Sequence, residues 1–162
     1  MILEDSIKIQ ASPEAVFQFI EDIESHYLEW HPDHVLFRWE QGRGGNLGNI
    51  FYFEECIAGK HLKKRCVFTR VVSNEHLEFA PTFWLMRLFL PRILFRMVPE
   101  NGGCRLIQQI QLRMGPLARW LNRKELAAVR EHMRVEGVNA KHMVEAQEQK
   151  PMFPSAEAGG RR

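Results

Sequence analysis

One run of residues limits the possible folds more than any other. From Asn122 to Gln149, NRKELAAVREHMRVEGVNAKHMVEAQEQ, no proline intervenes, and Leu126, Val129, Met133, Gly137, Ala140 and Val144 recur at three- and four-residue steps. That spacing draws one apolar stripe along a long helix whose remaining surface is charged, so the stripe must lie against a partner surface. Asn122 followed by Glu125 predicts a capping box at its start, the Asn side chain accepting an orphan amide while Glu125 reaches back.

His132 and Glu136 disturb this division. They stand one turn apart and border the stripe rather than the middle of the polar face. The commoner meaning of such a pair is a solvated His/Glu contact. The sharper one is an imidazole and a carboxylate that grip a metal ion. Gly137 favours the second slightly, because glycine costs about 1 kcal/mol in a helix interior and needs a packing or access reason.

The chain ahead of this helix reads mostly as strands. Ile7 and Ile9 alternate with polar neighbours in a first strand. Ser12 as N-cap and Pro13 at the first helical position open a helix with Val16, Phe17, Ile20 and Ile23 on its inner face and a break near Ser25. In the following HYLEWHPDHV, Pro32 disfavours helix at His31 and turns the chain toward a short strand, Val35 to Glu40. The glycine-rich 42–48 segment lacks the Lys and Ser/Thr of a phosphate loop and reads as a hairpin connection. Strands are expected at Asn49–Ile57, His61–Val72 and His76–Ala80, joined by short turns into an antiparallel meander. Phe83 to Val98 supplies an insertion and a strand from Ile93; its aromatic residues suit a cavity mouth, a membrane contact or core, with core the default. Asn101, Gly102 and Gly103 signal a hairpin before a last strand, Cys104 to Met114.

Strands, short helices and one long C-terminal helix give an α+β pattern, a curved antiparallel sheet wrapped around that helix. Such a sheet cannot close on one helix along its whole length, so a cavity is expected, lined by Phe51, Phe53, Val67, Leu112 and the helix stripe. At 162 residues and 45% hydrophobic content the chain suits one domain, residues 1–149, with a tail at 150–162 of turn-forming composition that is expected to be disordered. A net charge of +2 with interspersed signs argues against nucleic acid as a partner. Three cysteines without CxxC spacing argue against a disulfide framework and a cysteine zinc site, and suit a reducing cytoplasm. The N-terminus lacks a signal-peptide pattern, and no apolar run is long enough to span a bilayer. A homodimer stays open.

ASPEAVFQFIEDIE opening the first helix, the WHPDHV bend and the long final helix together resemble the helix-grip fold of the START-like, or SRPBCC, superfamily, which includes polyketide cyclases and lipid carriers. The resemblance covers about residues 2–148 and implies the fold more than any activity. Within it, EWHPDH (29–34), FEE (53–55) and HMRVEG (132–137) are similar to the metal-binding pattern of the diacetylphloroglucinol hydrolases, which cleave a carbon–carbon bond of an acylated phenol. That similarity implies His132 and Glu136 as ligands, a Glu of the FEE strand as a third and a His of the bend as a fourth. Strand parity selects Glu55 over Glu54, whereas His31 and His34 are both retained. Such a donor set suits Zn²⁺, with Fe²⁺ or Mn²⁺ as other occupants. Asp33 is expected to cap the bend, and Glu54 or Asp33 to serve as a proton shuttle. The functions in view are a metal-dependent hydrolase or lyase for a small apolar or aromatic carbonyl compound, and a non-catalytic carrier of an apolar ligand. His61 with Lys63, Lys64 and Arg65 reads as a solvated strand edge.

Overall fold

Alternating burial makes the strands, and short turns dictate their order. The computed structural model describes residues 1–149. β1 (Ile2–Ile9) is followed by α1 (Pro13–Glu21), α2 (Ile23–Trp30), β2 (His34–Gln41), β3 (Ile50–Ile57), β4 (Lys60–Val72) and β5 (His76–Pro81). Then come α3 (Trp84–Phe89), β6 (Arg92–Glu100), β7 (Gly103–Gln111), α4 (Pro116–Leu121) and α5 (Arg123–Glu148). The strands form one curved seven-stranded sheet, ordered β1-β7-β6-β5-β4-β3-β2, with every neighbouring pair antiparallel. α5 lies against β1, β7 and β3, and α1 and α2 pack beside it. This is the expected α+β arrangement of a sheet gripping a C-terminal helix. The tail expected at 150–162 lies outside the described residues.

The stripe on α5 does what its period requires. Met133, Gly137, Ala140 and Val144 are buried, while Leu126 and Val129 are half-buried. Gly137 has a packing reason: a Cβ there would lie 3.2 Å from Asp5 Oδ2 and 3.4 Å from Gln108 Nε2, where the helix approaches β1 and β7.

Ser12 caps α1 as its sequence predicts, its Oγ accepting the Ala15 amide at 3.2 Å, with Pro13 at the start. The break between α1 and α2 falls at Asp22 and not near Ser25. Ser25 lies inside α2, and its Oγ donates to the Asp22 carbonyl at 2.7 Å, so the hydroxyl ties the junction instead of ending a helix. Pro32 ends α2 as expected, with His31 extended at φ −148°, ψ 138°.

Four further readings are corrected. The capping box does not form, because α4 runs almost directly into α5: Asn122 Nδ2 donates back to the Ala118 carbonyl at 2.8 Å, and Glu125 pairs with Lys60 at 3.1 Å. β4 is interior, between β3 and β5, so Lys63–Arg65 is no strand edge, and Lys64 points to the inner face with Cys66 and Phe68. By the same parity Val67, opposite Ile50 and only half-buried, faces away from the cavity it was expected to line. The aromatic residues of 83–89 are not core: α3 buries none of its residues.

Gly103 closes the β6–β7 hairpin at φ +156°, and a Cβ there would sit 2.1 Å from the Ile9 carbonyl oxygen of the paired strand. A backbone atom held in the sheet cannot yield. Gly103→Ala is expected to destabilise the protein by about 2–4 kcal/mol, read as a lowered urea midpoint. A midpoint equal to that of the native chain would show that the hairpin can open.

Candidate functional site

The site begins at the end of α2. Trp30, almost fully buried, donates from Nε1 to the Glu136 carbonyl at 2.9 Å, and Asn139 Nδ2 donates to the Trp30 carbonyl at 2.8 Å. These two bonds clamp the bend that follows onto the middle of α5. The bend then delivers His31 and His34 to one turn of that helix, and β3 delivers Glu55 from the opposite side.

All five residues singled out by sequence converge. The rings of His31 and His132 lie 3.9 Å apart between centroids, and His34 stands 5.3 Å from His31 and 5.4 Å from His132. One ring nitrogen from each of His31, His34 and His132 falls within 4.8 Å of the other two, a spacing at which three imidazoles can share one cation. Glu136 Oε1 lies 3.1 Å from His34 Nε2 and 3.6 Å from His132 Nε2, and Glu55 Oε2 lies 3.6 Å from His132 Nε2. His132 is buried, so the solvated reading of the His132/Glu136 pair does not hold.

The two histidines of the bend differ in what they present. His34 Nδ1 lies 2.7 Å from the Tyr27 carbonyl, which only accepts, so Nδ1 carries the proton and donates. With Nδ1 committed there, Nε2 is the nitrogen that faces Glu136 Oε1 at 3.1 Å, donating to the carboxylate when it carries a proton and offering its lone pair to a cation when it does not. The His34 ring is held there by stacking on Tyr27 at 3.8 Å and 7°. His31 has the opposite tautomer: the Asp33 amide donates to its Nδ1 at 2.9 Å, which leaves the proton on Nε2 without a partner. Both ring nitrogens of His132 are also buried without a hydrogen-bond partner.

Two carboxylates and a set of imidazole lone pairs in one buried place call for positive charge. Burial works to raise the Glu136 pKa, but the His132 and His34 side chains outweigh it and hold the carboxyl down to about 2. Burial likewise works to lower the His132 pKa, and Glu136, Glu55 and Asp33 reverse it to a net rise. Lys64 supplies one charge by pairing with Glu55, its ammonium 5.1 Å from the Phe53 ring centroid. The parity that turns Glu55 inward does the same for Lys64 on β4, a signal present in the sequence and missed.

The expected roles of the spare acids change. Glu54 faces outward, where Tyr52 donates to it at 2.6 Å and His61 lies 2.5 Å away, so it has no access to the interior. Asp33 does not cap the bend. Its Oδ2 sits 3.6 Å from His132 Nδ1 and 3.9 Å from His31 Nδ1, with the carboxylate about half exposed.

Burial lowers the His31 pKa to about 4, with the His132 charge adding to the effect. Below its ordinary value of 6.5 the unfolded chain takes up a proton that folded His31 refuses, so stability falls as pH drops from 6.5 toward 4. His26 and His76, also held down first by burial, act in the same direction. His132 has the opposite sign, since its raised pKa contributes stability that is present below 6.5 and lost as pH rises through the folded value. Urea titrations of metal-free protein are expected to give midpoints that fall from pH 6.5 to 4, and a shallower fall in His31→Gln. An unchanged slope in that variant would exclude His31 as a source.

Three members of the cluster, Glu55, His132 and Glu136, line a cavity of about 220 Å³ between the sheet and α5 together with Lys64 and Gln108, where they meet Phe53, Phe95, Leu112 and Met133. A smaller space of about 60 Å³, lined by Tyr27, Trp30, Phe51 and Phe68, reaches the same two carboxylates from the other side.

A curved antiparallel sheet that encloses a cavity against one C-terminal helix defines the helix-grip class of ligand-binding domains. Within that class, the chain belongs to the family described as polyketide cyclase / dehydrase and lipid transport, whose sequence model matches residues 2–142. Solved structures agree on the fold. TTHA0849 from Thermus thermophilus superposes with a TM-score of 0.72 at 16% identity, covering 91% of this chain and 99% of that one. The polyketide-cyclase-like protein Cgl2372 from Corynebacterium glutamicum gives 0.56 at 18% identity, covering 94% and 96%. The protein named Ara h 8.0201 gives 0.63 at 13%, covering 90% and 98%. No curated protein matches the chain.

Proposed function

We propose that the protein binds a small, largely apolar carbonyl compound in the cavity and acts on it as a metal-dependent hydrolase or lyase. The observation that carries this reading is the convergence of His31, His34 and His132 with Glu55 and Glu136 beside a largely apolar cavity, which Glu55, His132 and Glu136 line. The family's association with polyketides and lipids supports the apolar ligand; the metal rests on the residues alone.

The donor set fits a divalent transition ion, Zn²⁺ first and Fe²⁺ or Mn²⁺ next, and the unpartnered His132 Nε2, 3.6 Å from both carboxylates, is what such an ion would satisfy. We assign His34, His132, Glu136 and Glu55 as its ligands, because His34, tied by Nδ1 to the Tyr27 carbonyl, turns its other nitrogen toward Glu136, whereas neutral His31 presents N–H. Zinc in such a site supplies Lewis acidity toward a carbonyl and lowers the pKa of water to about 7. The chain's own residues do the rest. The Tyr27 carbonyl fixes the His34 tautomer, Lys64 holds Glu55, and the aromatic lining excludes bulk water. His31 Nε2–H is a free donor beside the site, and Asp33, half in solvent, can pass a proton outward.

A carrier of apolar ligands is the second reading, favoured by the mostly hydrophobic lining of the cavity. The free thiols of Cys56, Cys66 and Cys104 accord with a cytoplasmic setting, which belongs to the same proposal. Native mass spectrometry of protein purified without added metal, followed by assays on acylated phenols and aryl ketones, separates the two. Metal with metal-dependent turnover supports the enzyme. A bound apolar molecule without metal supports the carrier, and neither finding would dismiss both.

A further inference from the structure

α3 and α4 carry an apolar surface that nothing among the described residues covers. Phe83, Trp84, Phe89, Leu117, Trp120 and Leu121 are each more than half exposed, the two tryptophans at 67% and 61%. Isolated exposed apolar residues are ordinary, but a concentration of this kind marks a surface that meets something. The two helices leave the same end of the sheet, where the Arg113 amide donates to the Phe89 carbonyl at 2.8 Å just before α4 begins. Leu90 and Leu112, adjoining them, line the cavity. The patch therefore borders the cavity mouth.

The two segments that carry the patch hold charge of one sign. Residues 82–99 and 101–124 contain no Asp or Glu, whereas Arg87, Arg113, Arg119, Arg123 and Lys124 are all exposed. The arginines of this region that do pair, Arg92 with Glu78 and Arg105 with Glu100, belong to β6 and β7. Arg123 instead lies over the Trp120 ring at 5.5 Å.

We propose that this face docks on an anionic lipid bilayer, with Trp84 and Trp120 in the headgroup region and the arginines against lipid phosphates. Tryptophan places its apolar body and polar N–H favourably at such an interface, and surface cations add attraction to anionic lipid. A second copy of the chain is the poorer partner, because a two-fold contact through this face sets Arg87, Arg113 and Arg119 against like charges. Docking in this orientation turns the cavity mouth toward the membrane, so an apolar ligand can pass between bilayer and cavity without crossing water. The proposal is independent of any metal.

Full-length protein mixed with phosphatidylcholine vesicles, with and without phosphatidylglycerol, tests it by co-sedimentation and tryptophan emission. Binding is expected only to the anionic vesicles, with a blue shift from Trp84 and Trp120, and to weaken in high salt. Arg87→Glu combined with Arg113→Glu is expected to lower the partition coefficient at least about tenfold. Trp84→Ala combined with Trp120→Ala should lower it too, both double variants keeping the native thermal midpoint because the positions are exposed. Failure to bind anionic vesicles, equal binding to both lipids, or binding indifferent to both double variants overturns the proposal. So does a concentration-dependent dimer in the ultracentrifuge that the tryptophan variant abolishes, which assigns the face to a second copy.

Discussion

Protein purified from zinc-supplemented cells without chelator is expected to carry about one zinc per chain, and His132→Ala less than about a tenth of that. His132 is the member of the cluster with the most partners: its ring faces His31 at 3.9 Å, and its Nε2 stands 3.6 Å from both Glu55 and Glu136. Alanine there deletes one ligand and leaves Glu136 with His34 and Glu55 with Lys64 as their remaining partners. Stability reports the same event. At free zinc about a thousandfold above Kd, linkage adds about 4 kcal/mol to the native protein, a thermal shift of about 8–16 °C for a domain of this size. The native chain should lose that shift when stripped with chelator, and His132→Ala should never show it. Glu54→Ala, on the outer face, should keep both metal and shift. A native protein free of stoichiometric transition metal, with a midpoint indifferent to zinc, would end the metal-centre reading and leave the carrier.

Trp30→Ala is expected to cost about 3–5 kcal/mol, the range for truncating a large buried aromatic. Trp30 is 1% exposed and meets Phe19 edge-on at 5.4 Å and His34 at 5.8 Å. Its loss opens a cavity behind the histidine bend and removes the bond to the Glu136 carbonyl, one of the two ties between α2 and α5. The variant should therefore weaken metal binding as well as the fold. Trp30→Phe keeps most of the volume and drops the N–H, and should cost about 1–2 kcal/mol. Trp84→Ala, in the exposed patch, should stay within about 0.5 kcal/mol of the native chain. Urea denaturation of the three variants measures the series; a Trp30→Ala midpoint close to that of Trp84→Ala would mean that the bend is held by something other than this ring.

Much of the site could be read before any coordinates. Parity separated Glu55 from Glu54 because β3 is regular through that point, each residue reversing the face of the last. The α5 stripe placed His132 and Glu136 beside the core for the same reason at a different period. Reading failed where backbone regularity failed. Pro32 interrupts the bend, so no period separates His31 from His34, and their difference lies in whether Nδ1 donates, to the Tyr27 carbonyl in His34, or accepts, from the Asp33 amide in His31. Asp33 was misjudged on the same stretch. Lys64 was misjudged for another cause: a charge run looks solvated until neighbouring strands show that its strand is interior. Phe83 to Phe89 looked like core because composition records what is apolar and not what covers it.

What the sequence by itself determined is periodic and local: the long helix and its stripe, the in-and-out alternation of the strands, the turns at glycine and asparagine, and the stop at Pro32. These follow from backbone geometry, which repeats over a few residues and needs no distant partner. What only the tertiary structure decided is where those faces meet. Trp30 reaches Glu136, Tyr27 orients His34, Lys64 neutralises Glu55, and α3 and α4 finish beside one cavity mouth with nothing among the described residues upon them. Each joins segments far apart in the chain, and such contacts depend on strand order and helix placement, which no short window of residues contains.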